Sequence, residues 1–272
     1  MPSLKNYKAY QASSKNILSR RRKYKRIVVK IGTSLFAKDN CKLDTALIGN
    51  IAKQISSLIK QGKEVVVVSS GAIALGMLIL KLANRPKQLS GLQAAAAAGQ
   101  HELMHVYKLA LNKYGLNCAQ LLLTWDDFRG ARYLNAKHTL NTLLSLNCVP
   151  IINENDTVAT EEIKLGDNDR LSALVAILVG ADLLIILSDV EGLLDKNKKV
   201  IRQVDKITGQ VKSLACPTNK KICVGGMVTK LEAARIAVEA GVPCVIANGH
   251  SQRIISQLTN NPFYQGTIFL PR

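Results

Sequence analysis

Short, mostly apolar runs recur along this chain at residues 27–31, 65–68, 119–123, 149–152, 183–187 and 244–247. Between them lie segments with helical spacing. Residues 44–60 carry Leu47, Ile48, Ile51, Ile55, Leu58 and Ile59 on one side and stop at Gly62. Further helices are expected from 72 to about 82, 92–114, 133–146, 168–179 and 229–240, with Gly115 and Gly241 closing two of them. Strands apolar on both faces that alternate with helices predict an α/β fold, a three-layer αβα sandwich around a mainly parallel central sheet. Residues 200–204 read as half of a hairpin and 267–270 as a terminal strand. In such sheets ligands gather beyond the carboxyl ends of the strands, so polar features following strands should converge on one edge.

Of the 37 basic residues, nine lie in residues 1–26, a stretch with none of the 19 acidic ones; 28 basic against 19 acidic residues remain elsewhere. The charge is concentrated in a basic extension, residues 1–25, expected to be disordered, ahead of a single domain over 26–272. A solvated arm, a contact with nucleic acid or a membrane surface, and a cleaved organellar targeting peptide all fit such a segment. The apolar stretch 171–188 is interrupted by Gly180 and Asp182 and reads as a helix turning into a strand, not as a membrane span. Six cysteines without C-x-x-C spacing suit a reducing, cytoplasmic setting and no structural zinc.

The densest polar stretch is I-N-E-N-D-T-V-A-T-E-E-I-K-L-G-D-N-D at 152–169, with Asn153, Glu154, Asn155, Asp156, Asp167, Asn168 and Asp169. It suits a polar ligand and its counter-ions; the same residue types also build solvated turns. Lys30 interrupts the apolar run 27–31 ahead of Gly32-Thr33-Ser34, where amides and hydroxyls can hold phosphate. An ammonium inside a strand needs an anion, unless the strand is at an edge and the side chain reaches water. Ser69-Ser70-Gly71 opens a helix, as an anion site or as a plain serine cap. Gly225-Gly226-Met227-Val228-Thr229-Lys230 opens another, folding over phosphates or leaving a solvent-facing lysine; G-x-x-x-x-G-K-[ST] is absent from the chain. Asp167-Asn168-Asp169 can bind a cation, hold lysines in place or cap a helix. Ser188-Asp189 follows a strand, placed to meet a nucleotide or to start a turn. His101 and His105 stand four apart, a spacing that can bind metal, but no H-E-x-x-H pattern exists and they read as ordinary surface or packing residues.

Taken in order, these motifs resemble the amino-acid kinase superfamily and, within it, the glutamate 5-kinase family. The likeness runs from about residue 27 to the C-terminus. It rests on V-V-K-I-G-T-S at 28–34, S-S-G-A-I-A at 69–74, Q-A-A-A-A-A-G-Q at 93–100 and L-L-L-T at 121–124. It continues through Y-L-N-A at 133–136, N-E-N-D-T-V-A-T at 153–160, G-D-N-D-R-L-S-A at 166–173 and G-G-M-V-T-K-L-E-A-A at 225–234. The resemblance implies transfer of the ATP γ-phosphoryl group to the side-chain carboxylate of L-glutamate, the first step toward proline. It implies that Lys30 and Lys230 stabilise the transferring group, with Asp169 positioning them. Ser70, Gly71, Asn153, Asp156, Asp167 and Asn168 would bind glutamate. Lys30, Gly32, Ser188, Asp189, Val224, Gly225, Gly226, Met227, Val228, Thr229 and Lys230 would contact ATP. Mg²⁺ would ride on ATP oxygens and water, with no protein metal ligand. A dimer or tetramer and a transient contact with glutamyl phosphate reductase also follow from the resemblance.

The sequence departs from that family in three places. The segment 217–224, P-T-N-K-K-I-C-V, replaces a Gly/Ser-rich loop, so Val224 offers no hydroxyl where the family has Thr; Lys220 and Lys221 can supply charge there. The segment 193–200 is shorter than its counterpart. Many relatives append a C-terminal RNA-binding-like (PUA) module, which is not expected here. Two other functions fit less well. One is another carboxylate kinase of the superfamily. The other is a nucleic-acid-binding protein on this scaffold, which aromatics at 4% and the lack of an RNP or zinc signature disfavour.

Overall fold

The computed structural model describes residues 24–35, 44–158, 168–215 and 226–271. Their strands are β1 (Arg26–Ile31), β2 (Glu64–Ser69), β3 (Cys118–Leu123), β4 (Val149–Glu154), β5 (Leu183–Ser188), β6 (Gln203–Val204), β7 (Cys244–Asn248) and β8 (Thr267–Phe269). They form one sheet in the order β3-β4-β2-β1-β5-β7-β8-β6. Among the pairings of these eight strands only β7–β8 is antiparallel. The expected hairpin near 200–204 is replaced by a single antiparallel bridge, Leu194 to Val200, after which β6 pairs in parallel with β8. Eight helices are described: α1 (Thr45–Lys60), α2 (Ala72–Ile79), α3 (Leu89–Asn112), α4 (Gly130–Ser145), α5 (Asn168–Leu178), α6 (Gly209–Leu214), α7 (Met227–Glu239) and α8 (Ile254–Asn260). None is long and apolar enough to cross a membrane.

Strand periodicity sorts the side chains into two cores. Ile27, Val29 and Ile31 of β1 join Ile51 of α1, Leu103 of α3 and Ile255 of α8 on one face. Val28 joins Leu140 of α4, Leu171 of α5 and Leu231 of α7 on the other. Lys30 shares the parity of Val28, so its side chain rises on the face that α5 and α7 cover. Because β1 lies between β2 and β5, it is a central strand, and the edge-strand account of Lys30 is excluded. The chain leaves β1 toward β2 on one side and returns to its other side at β5. That reversal of strand order opens the crevice in which ligands of open α/β sheets bind.

Two helices near this crevice touch at the backbone. A Cβ added at Gly76 of α2 would stand 1.6 Å from the Ala95 carbonyl oxygen, and one at Gly99 of α3 would stand 1.9 Å from that of Ala72. The alanine run of α3 is therefore a packing surface, with Ala95 and Ala96 buried. α2 ends three residues before the expected 82. Lys81 takes a left-handed φ of 53°, and the amides of Lys81 and Leu82 close onto the carbonyls of Leu78 and Met77 at 3.1 and 2.8 Å. This is a Schellman closure with lysine where glycine is usual.

Gly99→Ala should therefore cost about 3 kcal/mol, the upper range for overpacking, because backbone rather than a side chain must move. Gly49, within α1, has nothing among the described residues within 4 Å of an added Cβ. Gly49→Ala should instead stabilise by about 1 kcal/mol through helix propensity. Denaturant unfolding of the two variants measures both.

Candidate active site

The carboxyl ends of four adjacent strands line up as β4, β2, β1, β5 and present Asn153, Ser69, Lys30 and Ser188 in that order. At the centre, one carboxylate serves two ammonium groups. Lys30 Nζ lies 2.5 Å from Asp169 Oδ1, and Lys230 Nζ lies 3.3 Å from Asp169 Oδ2. Thr229 donates its hydroxyl to the same Oδ2 at 2.8 Å. All three charged side chains are buried: Lys30 is 5% exposed, Asp169 4% and Lys230 8%. Burial works against ionisation of Asp169, but the two lysines and Thr229 outweigh it and hold the carboxyl below the ordinary carboxylate range. Asp169 stands in the first turn of α5, where the free amides of a helix start also favour negative charge. It therefore does more than cap a helix.

Beside β2 and β4 lies an uncharged network. The two N–H groups of the Asn168 side-chain amide are shared among the Ser69 carbonyl at 3.0 Å, Ser70 Oγ at 3.0 Å and Asn153 Oδ1 at 2.9 Å. Ser70 thus accepts from Asn168 and keeps its own O–H to donate outward. Asn153 is fixed by donating to Gln100 Oε1 at 2.8 Å, while its Oδ1 also accepts from the Glu154 amide at 2.9 Å. Gln100 is a site residue that the sequence reading does not single out, although it closes the motif at 93–100. The only signal is a polar side chain directly after the Gly99 contact. Gly71, not a serine, occupies the N-cap of α2 at φ 112°, and no side chain among the described residues caps that helix. Its first amides are left facing the crevice end of the sheet.

On the β5 side, Asp189 Oδ1 accepts from Ser34 Oγ at 3.1 Å and Ser188 Oγ at 2.9 Å. Against burial, these bonds, a backbone amide and the Lys230 charge keep the Asp189 carboxyl below its ordinary range. Ser34 is thereby placed on Asp189. Gly32 has its absent Cβ 3.6 Å from Lys30 Nζ, so the missing side chain leaves room beside the ammonium. Gly226 caps α7 at φ 74° and ψ −134°, a conformation that strains any side chain, and its carbonyl accepts from Lys230 Nζ at 3.3 Å and lies 3.1 Å from Thr229 Oγ1, whose one proton points to the nearer Asp169 oxygen. Lys230 is accordingly not a solvent-facing lysine. Met227 packs on the apolar cluster, and Val228 is half-buried.

Asp156 sits on the turn after β4, without a bond to the Asn168 network among the described residues. Burial pushes its carboxyl up to about 6, against the opposing charge of Arg85. Asp167, Val224 and Gly225 lie outside the described residues, as do Lys220, Lys221 and residues 1–23 of the basic extension. His101 and His105 are exposed on α3. Among the described residues no three His, Cys, Asp or Glu side chains are grouped to hold a metal ion. The Lys30–Asp169–Lys230 cluster itself carries a net positive charge in a low-dielectric crevice, partly offset by the Asp189 carboxylate within reach of the Lys230 charge. That charge attracts a polyanion and can stabilise negative charge that develops there.

The sequence pattern of the amino acid kinase family matches residues 25–248. A protein named glutamate 5-kinase from Caldanaerobacter subterraneus subsp. tengcongensis is 47% identical over 253 residues, which cover 90% of this chain and 68% of the relative. One from a Marinomonas species is 49% identical over 245 residues, 88% of this chain and 66% of the relative. One from a Geobacter species is 44% identical over 257 residues, 92% and 69%. The family pattern takes in Lys30, Asp169 and Lys230 together with strands β1 to β7, and the chain belongs to the amino acid kinase family.

Proposed function

We propose that this chain transfers the γ-phosphoryl group of ATP to the side-chain carboxylate of L-glutamate, giving γ-glutamyl phosphate, the first intermediate toward proline. The observation that carries this reading is the buried Lys30–Asp169–Lys230 cluster. It stands between an amide and hydroxyl network on one side and the Ser188–Asp189 and Gly226 turns on the other. Relatives at 44–49% identity that bear the glutamate 5-kinase name support the choice of substrate.

In this reading glutamate lies over β2 and β4. Ser70 donates its O–H, Asn153 and Asn168 fix the amino-acid end, and the amides opening α2 past Gly71 face its carboxylate. Asp156, and Asp167 next to Asn168 in sequence, supply negative charge for the ammonium. ATP lies over β5 and the start of α7, against Gly32, Ser188, Asp189 and the backbone of 224–229. The acceptor carboxylate is already ionised at neutral pH, so no general base is required. Catalysis is positioning together with charge stabilisation. Lys30 and Lys230 meet the charge spreading over the transferred group from two sides, and Asp169 keeps both ammoniums aimed. Both Asp169 oxygens face lysines, so the crevice fits Mg²⁺ carried on nucleotide oxygens and water, where it neutralises phosphate charge. The acyl phosphate product is labile, which suits prompt hand-over to glutamyl phosphate reductase. Assembly into a dimer or tetramer in the cytoplasm belongs to the same proposal.

Trapping the product with hydroxylamine as the hydroxamate, with Mg-ATP and glutamate, tests the reaction. Lys30→Ala and Lys230→Ala should each lower kcat by roughly a hundred- to a thousandfold, the loss typical of one preorganised donor. Hydroxamate formed at a near-normal rate by either variant would overturn the assignment. Asp169→Asn strands two buried ammoniums and should lower stability by about 3–5 kcal/mol as well as kcat, read by unfolding and turnover together.

The Asp156 carboxyl, raised to about 6, gives a pH signature. Above that pH it is ionised and attracts the substrate ammonium; as pH falls through it, the charge is lost. The glutamate KM should rise by about tenfold per pH unit below 6, the slope of a single protonation, and Asp156→Asn should flatten that profile. On stability the sign is opposite. A carboxyl raised in the fold stabilises it at pH below its ordinary value, and that contribution is lost as pH rises through about 6.

A further inference from the structure

We propose that Arg170, held between Trp125 and Glu232, is a positioning residue that fixes the relation of α5 to α7 on which the Asp169–Lys230 pair depends. Arg170 follows Asp169 directly on α5, and Glu232 lies two residues beyond Lys230 on α7. The Arg170 guanidinium stands 4.5 Å from the centre of the Trp125 ring, and its Nε lies 3.7 Å from Glu232 Oε1. A planar guanidinium can stack and pair with a carboxylate at once, which a lysine cannot do. Trp125 opens the short turn Trp125–Phe128 after β3, and that turn is itself braced. Asp127 Oδ2 accepts from the Thr124 amide at 2.7 Å and from its hydroxyl at 3.0 Å.

The two lysines at the centre are not equally constrained. Lys30 belongs to a strand bonded on both sides and meets Asp169 at 2.5 Å. Lys230 rides on a helix and meets the same carboxylate at the longer 3.3 Å. A second tie between the same two helices, anchored on the β3 turn, holds α7 at the working distance. The bonds that build the Ser70–Asn153–Asn168 network run through other residues, so the tie should act on turnover and leave glutamate binding alone. A displacement on the order of 1 Å is enough to cost up to a hundredfold in rate, and a residue acting through Lys230 should cost less than Lys230 itself.

This inference rests on the phosphoryl-transfer reading, so the full chain is assayed alongside Arg170→Met, Trp125→Leu, Trp125→Phe and the Arg170→Met/Trp125→Leu double variant. Arg170→Met and Trp125→Leu should each lower kcat roughly tenfold with the glutamate KM within about twofold. Trp125→Phe, which keeps a ring under the guanidinium, should retain kcat within about threefold. The double variant should be little worse than either single one. Retention of kcat by Arg170→Met and Trp125→Leu would overturn the proposal. So would a parallel loss of kcat, KM and melting temperature, which marks a merely structural contact. Trp125 is the chain's one tryptophan, so its emission reports the stack without any substrate. Emission changed in Arg170→Met supports the contact, and unchanged emission removes it. An unmodified chain without glutamate-dependent turnover would instead remove the kinase reading, a result separable from the emission.

Discussion

One carboxylate, Asp169, neutralises two buried ammonium groups, and the architecture around it follows from that requirement. Lys30 interrupts a central strand bonded on both sides, so its charge cannot reach solvent along the sheet and must meet an anion from above. α5 delivers that anion in its first turn, where helix amides already favour negative charge. α7 then brings a second cation, Lys230, to the other carboxylate oxygen. Three buried charges with a net positive sum would be costly in an inert core. In a crevice that takes up a phosphate-bearing ligand, the surplus charge is complementary to the ligand.

The sheet places the remaining polar groups by strand order alone. Residues from β4 and β2 form an uncharged network on one side of Lys30, and Ser188 and Asp189 form a hydroxyl–carboxylate cluster on the other. The amide-rich half suits an amino acid, and on the other side the glycine turn at the start of α7 and the Lys230 ammonium supply the groups suited to phosphate. The backbone contact of α2 and α3 through Gly76 and Gly99 serves the first half. It fixes where α2 begins, just after Gly71, and brings Gln100 alongside Asn153.

Several elements are legible along the chain because local chemistry specifies them. Asp44 caps α1 through the Leu47 amide at 2.9 Å, Gly241 follows the end of α7, and the apolar runs form strands within a residue or two of their expected bounds. The end of α2 is not legible, because Lys81 adopts a left-handed conformation that composition does not announce. The short helices α6 and α8 carry too little periodicity to stand out. The two-residue β6 pairs in parallel with β8 across a long sequence separation, which no turn signal could reveal. Gln100 is invisible as a site residue because its role comes entirely from a partner 53 residues away.

The alternation of strands and helices, the parity that puts Lys30 on one face, and the clustering of amides, carboxylates and glycines at strand ends are written in order along the chain. Those features are local, set by side-chain period and backbone preference. The central place of β1, which makes Lys30 a buried cation and not a snorkelling one, is a property of the assembled sheet alone. So are the meeting of Asp169 with two lysines, the hydroxyls of Ser34 and Thr229 committed to carboxylates, and the stacking of Arg170 on Trp125. Each of these depends on which strands are neighbours and which helix covers which face. Pairing between residues so distant in sequence is fixed by the packing of the whole sheet and by no segment of it.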